Sequence, residues 1–276
     1  MSDGTQGVVG SVVSLWRYPV KSMMGEELNA TDVTERGVLG DRAYALVDQA
    51  DGKVVSAKNP RKWPALFDYR AAFTAPPHAS GAIPAVRIVL PDGTMVTSDE
   101  SNLEQIVSAA LGRQVTLQTS PPDQPSLEEY WPEIEGLDHQ DTVTDEAIPP
   151  GAFFDGAAIH LLTTATMAGL RKAHPEGRFE VRRFRPNIVV ESGSPDAEFP
   201  ENDWIGRTVA IGDQVRFSVT GPCPRCVMTT LAQGDLPSDP GVLRTAAQQN
   251  KAHVGVYAKV LAGGVIRRGD AVRLED

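Results

Sequence analysis

The chain predicts a β-rich α+β fold with few short helices, on three observations. Runs of β-branched and aromatic residues recur on both sides of a central acidic stretch, Asp-Gly and Gly-Asp pairs separate them, and helical signals are confined to three short segments. With 276 residues, 41% of them hydrophobic, and with 25 Gly and 21 Pro, the chain can fill one large or two modest turn-rich domains.

The elements follow in order. Residues 8–16 are Val-rich and read as a strand. Residues 43–47, Asp51-Gly52 and residues 53–56 form a strand, turn and strand signal, so a hairpin is expected; residues 86–90, Pro91-Asp92-Gly93 and residues 94–97 predict a second. Residues 102–111 place Leu103, Ile106, Val107 and Ala110 on one helical face, with Ser101 and Glu104 as a capping box and Gly112 as the stop. Beyond residue 150, residues 157–162 predict a buried strand and residues 164–173 a helix that opens in threonines, a geometry that suits anions. Residues 209–215 and 265–272 each set Gly-Asp between β-branched runs, as tight turns of a barrel do. Residues 227–231 read as strand, residues 240–250 as a short helix, and residues 254–261 and 271–274 as a last pair of strands.

The charge is uneven. Nine of the 36 acids lie between Pro121 and Pro150 with no Lys or Arg among them, leaving 27 acids against 26 bases elsewhere. Six prolines in the same stretch predict an extended linker over residues 121–150, with a lid over a site or a docking strip for a basic redox partner as alternatives. No basic stripe stands out, so a nucleic-acid partner is not expected. No apolar run approaches the roughly 20 residues that cross a bilayer, and Met1 to Gly7 lack the features of a secretory signal, so no membrane association and a cytoplasmic location are expected.

Cys223 and Cys226, in Gly221-Pro222-Cys223-Pro224-Arg225-Cys226, are the only cysteines. Thiolates are the softest ligands a protein offers, and a guanidinium alongside lowers a thiol pKa. The five histidines stand at no ligand spacing to the pair, which weighs against structural zinc. A dithiol of the thioredoxin kind, two inert packed thiols, and one activated thiolate holding a metal all remain readings of this segment.

Four blocks in sequence carry a resemblance: Tyr18-Pro19-Val20-Lys21-Ser22, Gly40-Asp41-Arg42, Phe184-Arg185-Pro186-Asn187-Ile188-Val189-Val190, and Pro222-Cys223-Pro224-Arg225-Cys226 followed by Thr229-Thr230. Together they resemble the molybdenum cofactor sulfurase C-terminal (MOSC) domain family, in the branch with amidoxime- and hydroxylaminopurine-reducing members. The resemblance implies an N-terminal β-barrel-like domain over residues 1–120, the linker, and a MOSC β-barrel domain over residues 151–276, with the molybdenum cofactor (Mo-molybdopterin) held between them. By position Cys226 is the metal ligand and Cys223 its neighbour. Lys21, Ser22 and Arg42 match the family's cofactor contacts in the first half, and Thr163, Thr164, Thr166, Arg185, Asn187, Arg225 and Tyr257 match those in the second. These residue types suit a phosphate-ended pterin, which demands cationic forks, hydroxyls and amides.

Two departures bear on substrate choice. The stretch after Thr230 differs from the family's Val-Asp-Pro pattern, and the acid that lies near the metal in relatives falls on Asp196 only with a small insertion. The chain shows neither an N-terminal anchor nor the four cysteines of a fused ferredoxin module, so electrons are expected from a separate protein: a ferredoxin, a flavoprotein or a cytochrome b5-like donor. The implied activity is the molybdenum-dependent reduction of hydroxylamines, N-hydroxylated bases or amidoximes, with Cys226 and Asp196 as catalytic candidates. A persulfide-bearing sulfur carrier or a molybdenum-cofactor carrier is the alternative.

Overall fold

The computed structural model describes residues 7–193 and 197–275. In the first half the strands are β1 (Val8–Arg17), β2 (Glu26–Leu28), β3 (Ala30–Thr34), β4 (Gly37–Val38), β5 (Ala45–Asp48), β6 (Arg70–Phe73), β7 (Val86–Val89), β8 (Met95–Thr97) and β9 (Val115–Gln118), with helix α1 (Leu103–Leu111) before β9. The second half holds β10 (Ser126–Trp131), β11 (Thr142–Ala147), β12 (Ile159–Thr163), α2 (Thr164–Ala173), α3 (Val181–Phe184), β13 (Ile188–Ser192), β14 (Thr208–Ile211), β15 (Val215–Pro224), α4 (Pro240–Asn250), β16 (His253–Ala262), β17 (Gly264–Arg267) and β18 (Ala271–Glu275).

Seven strands close a barrel in the order β1-β13-β12-β16-β15-β14-β18, β18 returning to β1. All neighbours run antiparallel except β12 and β13, whose parallel pairing is made through the crossover that contains α2 and α3. Apolar residues of these two strands serve both faces: Leu161, Ile188 and Val190 fill the barrel, while Leu162 and Val189 pack outward against Met167 and Leu170 of α2 and Val242 and Ala246 of α4. At the β1–β13 contact, a Cβ on Gly10 would stand 2.0 Å from the Glu191 carbonyl oxygen, so only glycine allows that approach.

The first half packs β5–β9 and β6–β7–β8 around α1, with Leu103 and Val107 of the helix against Ile88, Val96 and Val115. Met228, from the second half, is buried in this same core, which fixes the segment after Cys226 between the two bodies. The halves also exchange strands. β1 is a stave of the second half's barrel, and β17 completes a sheet with β3 and β4.

Several expectations are corrected. Residues 121–150 do not form an extended linker: β10 and β11 pair over six residues as an antiparallel hairpin, Ser126↔Ala147 to Trp131↔Thr142. Residues 227–231 are not a strand but a single 3-10 turn, because Thr229 and Thr230 turn their hydroxyls back onto the carbonyls of Cys226 and Val227 at 3.0 and 2.7 Å. The Ser101–Glu104 capping box does not form, since the Glu104 carboxylate accepts from the Leu117 N–H at 3.0 Å. In the first expected hairpin only the Val47–Val54 bridge is made, and β5 takes β9 as its partner.

Candidate active site

β15 delivers the cysteine segment to the junction of the two bodies, and its last pairing, Pro224↔His253, is extended when Arg225 N–H donates to the Ala252 carbonyl at 2.7 Å. Cys226 then sits in extended backbone as the residue that opens the 3-10 turn Val227–Thr230. Arg183, fully buried, clamps that turn from beneath. Its guanidinium donates to the carbonyls of Arg178, Thr229, Leu231 and Pro237 at 2.8, 3.0, 3.1 and 2.7 Å, placing a cation at the carbonyl end of the turn.

Above Cys226 lies a cavity of about 360 Å³ walled by both halves. Five cationic side chains, Lys21, Arg42, Lys58, Arg185 and Arg225, line it. Lys21 donates from Nζ to the Phe153 carbonyl at 2.8 Å and to the Asp155 carboxylate. Lys58 donates to Glu129 Oε2 at 2.8 Å, with Asp155 at 3.9 Å. Arg42 and Arg185 both lie over the ring of Tyr18, their Cζ atoms 4.4 and 4.1 Å from its centroid. Arg42 pairs with the Asp41 carboxylate, whereas Arg185 has only the Met23 carbonyl at 2.8 Å and a second ring, Phe67, at 5.4 Å. No carboxylate pairs with Arg185 among the described residues.

Local strain concentrates here. Of the seven non-glycine residues with positive φ among the described residues, Ser22, Arg42, Arg185 and Ala252 line this one cavity. Such backbone costs on the order of 1–3 kcal/mol per residue and gathers at sites whose geometry is held by the surroundings.

The electrostatics follow from burial and neighbours. Burial, reinforced by the like charge of Arg42, lowers Arg185 to about 10. Burial would raise Asp155, but Lys21 and Lys58 hold its carboxyl well below the usual range. Burial and the Glu129 carboxylate push the Cys226 thiol up to about 11, against Lys58 and Arg225. The buried Cys223 goes the other way: burial is outweighed by Arg225, whose Nη1 is 2.7 Å from the sulfur, and by His160.

Eight of the sequence-derived candidates therefore converge on this cavity: Lys21, Ser22, Arg42, Arg185, Asn187, Arg225, Cys226 and Tyr257. Asn187 is also a staple. Its amide donates to Asp41 Oδ2 at 2.9 Å and accepts from the His160 N–H at 3.1 Å, tying β12 to the turn that carries Arg42. The threonines are not brought there. Thr163 and Thr166 donate their hydroxyls to the buried Glu201, at 2.6 and 2.7 Å, Thr163 Oγ1 also caps α2 by accepting from the Thr166 N–H at 3.1 Å, and Thr164, the first residue of the helix, is not part of the cavity lining. Asp196 lies outside the described residues.

Lys58, Glu129, Trp131, Asp155 and His160 line the cavity without having been foreseen. The available signal for Glu129 was the alternation Leu127, Glu129, Trp131 along β10, which a strand would turn to one face.

The residue set fits a cofactor that joins a soft metal to a phosphate-ended ring system. Cys226 supplies sulfur, and among the described residues Arg185 is a cation paired with no carboxylate and Arg225 Nε is buried with no hydrogen-bond partner.

A seven-strand barrel with a cysteine at the end of one stave, roofed by a second β-rich body, defines the class. The chain belongs to the MOSC domain family: residues 150–273 match the MOSC domain and residues 9–84 match the MOSC N-terminal beta barrel domain. Among curated proteins it is 27% identical to mitochondrial amidoxime reducing component 2 of Rattus norvegicus, covering 81% of this chain and 67% of that protein, and 26% identical to its counterpart from Bos taurus over the same shares. It is also 35% identical to the molybdenum cofactor sulfurase of Drosophila willistoni over 28% of this chain, which is only 9% of the sulfurase. The chain thus spans about a tenth of the length of the sulfurases it matches. Among solved structures, the YUAD protein from Bacillus subtilis is similar with a TM-score of 0.49 at 10% identity, covering 96% of this chain and 95% of that one. No helix among the described residues is long and apolar enough to cross a membrane.

Proposed function

We propose that this chain is a molybdenum-cofactor-dependent reductase of N-hydroxylated compounds, supplied with electrons by a separate protein. The observation that supports this most is the convergence of Cys226 with Lys21, Arg42, Arg185 and Arg225 on one cavity, a cationic set that a bare sulfur carrier has no use for. The relatives named for amidoxime reduction cover most of the chain and agree with it.

When bound, the cofactor supplies the two-electron redox couple. The overall change is R–NHOH + 2 e⁻ + 2 H⁺ → R–NH₂ + H₂O, with the external donor oxidised. The residues divide the remaining work. Cys226 Sγ would ligate the metal, giving up its proton to do so. Lys21, Arg42 and Arg185 would hold the phosphate and ring oxygens by charge-assisted hydrogen bonds, and Arg225 would offer Nε. Tyr257 and His160, ring edge to face at 6.0 Å, form part of the same wall, beside the buried Cys223.

A persulfide on Cys226 would account for the similarity to sulfurases, yet that role calls for a thiol of low pKa, and burial with Glu129 raises this one. The test is to isolate the protein from a host that makes the cofactor, then measure molybdenum per chain and benzamidoxime reduction with a reduced viologen dye. The wild type should carry near-stoichiometric metal and turn over; Cys226→Ser should lose turnover and keep a cooperative melt. Full turnover in that variant would end the proposal.

A further inference from the structure

The hairpin β10–β11 brings to the cavity side chains that the cofactor-holding set leaves unused. Glu129 is only 6% exposed. Its Oε2 accepts from Lys58, and its Oε1 has no hydrogen-bond partner among the described residues, although the side chain forms part of the cavity wall. Lys58 Nζ makes one close hydrogen bond, to Glu129, and so retains donor capacity. Trp131, two residues further along β10, lines the same cavity; its indole N–H donates to Thr144 Oγ1 at 2.8 Å, and the ring of His139 packs edge-on at 5.0 Å. A fixed flat ring thus stands beside a donor–acceptor pair.

We infer that Glu129 and Lys58 are the specificity-determining residues of this site and select N-hydroxylated compounds in which an N–H adjoins the hydroxylated nitrogen through one carbon, the amidine pattern. The N–H donates to Glu129 Oε1, Lys58 Nζ donates to the oxygen that is lost, and the flat conjugated body lies against Trp131. The reduction consumes two electrons from the external donor and two protons, R–C(=NOH)NH₂ becoming the amidine and water. A hydroxylamine without the neighbouring N–H displaces water from this acceptor and gives it no donor in return, which is how a site built for a hydrogen bond rejects the analogue that lacks it.

This inference rests on the reductase reading, so the test has two arms. In the first, kinetics of the metal-loaded protein are compared for benzamidoxime and N-benzylhydroxylamine, which lacks the neighbouring N–H. Glu129→Gln should lower kcat/KM for benzamidoxime at least about tenfold, chiefly through KM, and leave N-benzylhydroxylamine within about twofold. Equal losses on both substrates, or no loss on either, would overturn the assignment. In the second arm, calorimetry on the full chain as purified follows binding of benzamidine, the product, whose amidinium pairs with a carboxylate. Glu129→Gln should weaken it at least about tenfold, and an unchanged affinity overturns the assignment. If the wild type reduces neither substrate, the reductase reading fails while the calorimetry still decides the Glu129 site.

Discussion

Tyr18 shows what a single ring has to balance. Its hydroxyl donates to the Pro186 carbonyl at 3.3 Å, and both Arg42 and Arg185 rest on its ring, yet among the described residues only Arg42 pairs with a carboxylate. A buried cation without a counter-charge is costly to the empty protein and valuable to an anionic ligand. Arg185→Met should therefore lower bound molybdenum several-fold without lowering the melting temperature. Full metal content together with a large fall in melting temperature would show Arg185 to be a structural residue. Arg183 is the opposite case. It serves four carbonyls and faces no ligand, so Arg183→Met leaves those acceptors unpaired and should cost about 3 kcal/mol or more in urea unfolding.

Among the elements, the loop before β12 and the acidic hairpin matter most. Phe153 and Asp155 of the loop are both held by Lys21, and Asp155 also faces Lys58. Because the Asp155 carboxyl is depressed in the folded protein, its contribution is fully present above the unfolded value of about 3.9 and is lost as pH falls below it. Melting temperature followed against pH should show a steeper acid limb in wild type than in Asp155→Asn, and identical limbs would remove Asp155 from the account. The hairpin was hidden by its composition. Nine acids and six prolines across residues 121–150 suggest solvated chain, but β10 turns Leu127 and Glu129 inward while Lys53 and Lys58 of the first half meet Glu128 and Glu129.

On the scale of the whole molecule, the barrel depends on a strand from the far end of the chain. β1 pairs with both β13 and β18, so a fragment starting at residue 150 lacks a stave and leaves two barrel edges open. Such a fragment should fail to give a cooperative melt or dispersed amide resonances, and adding residues 7–28 in trans or by circular permutation should restore them. A well-folded isolated fragment would contradict this dependence.

Local sequence was enough wherever neighbours along the chain supply the determinants. α2 and α4 occupy Thr164–Ala173 and Pro240–Asn250, the ranges expected from the sequence, with Thr163 and Asp239 accepting at their N-termini. The motif residues Lys21, Arg42, Asn187 and Cys226 were likewise legible, since each lies in a short string with its own signature. Tertiary structure alone decided which charges are buried. Lys58, Glu129 and Asp155 are ordinary surface types in the sequence, and they become a cavity wall only because strands and loops separated by as many as 97 positions fold onto one another. It also decided that the threonines of α2 serve Glu201 rather than the cavity, because a hydroxyl goes to the nearest buried acceptor, and proximity in space is not written in local spacing.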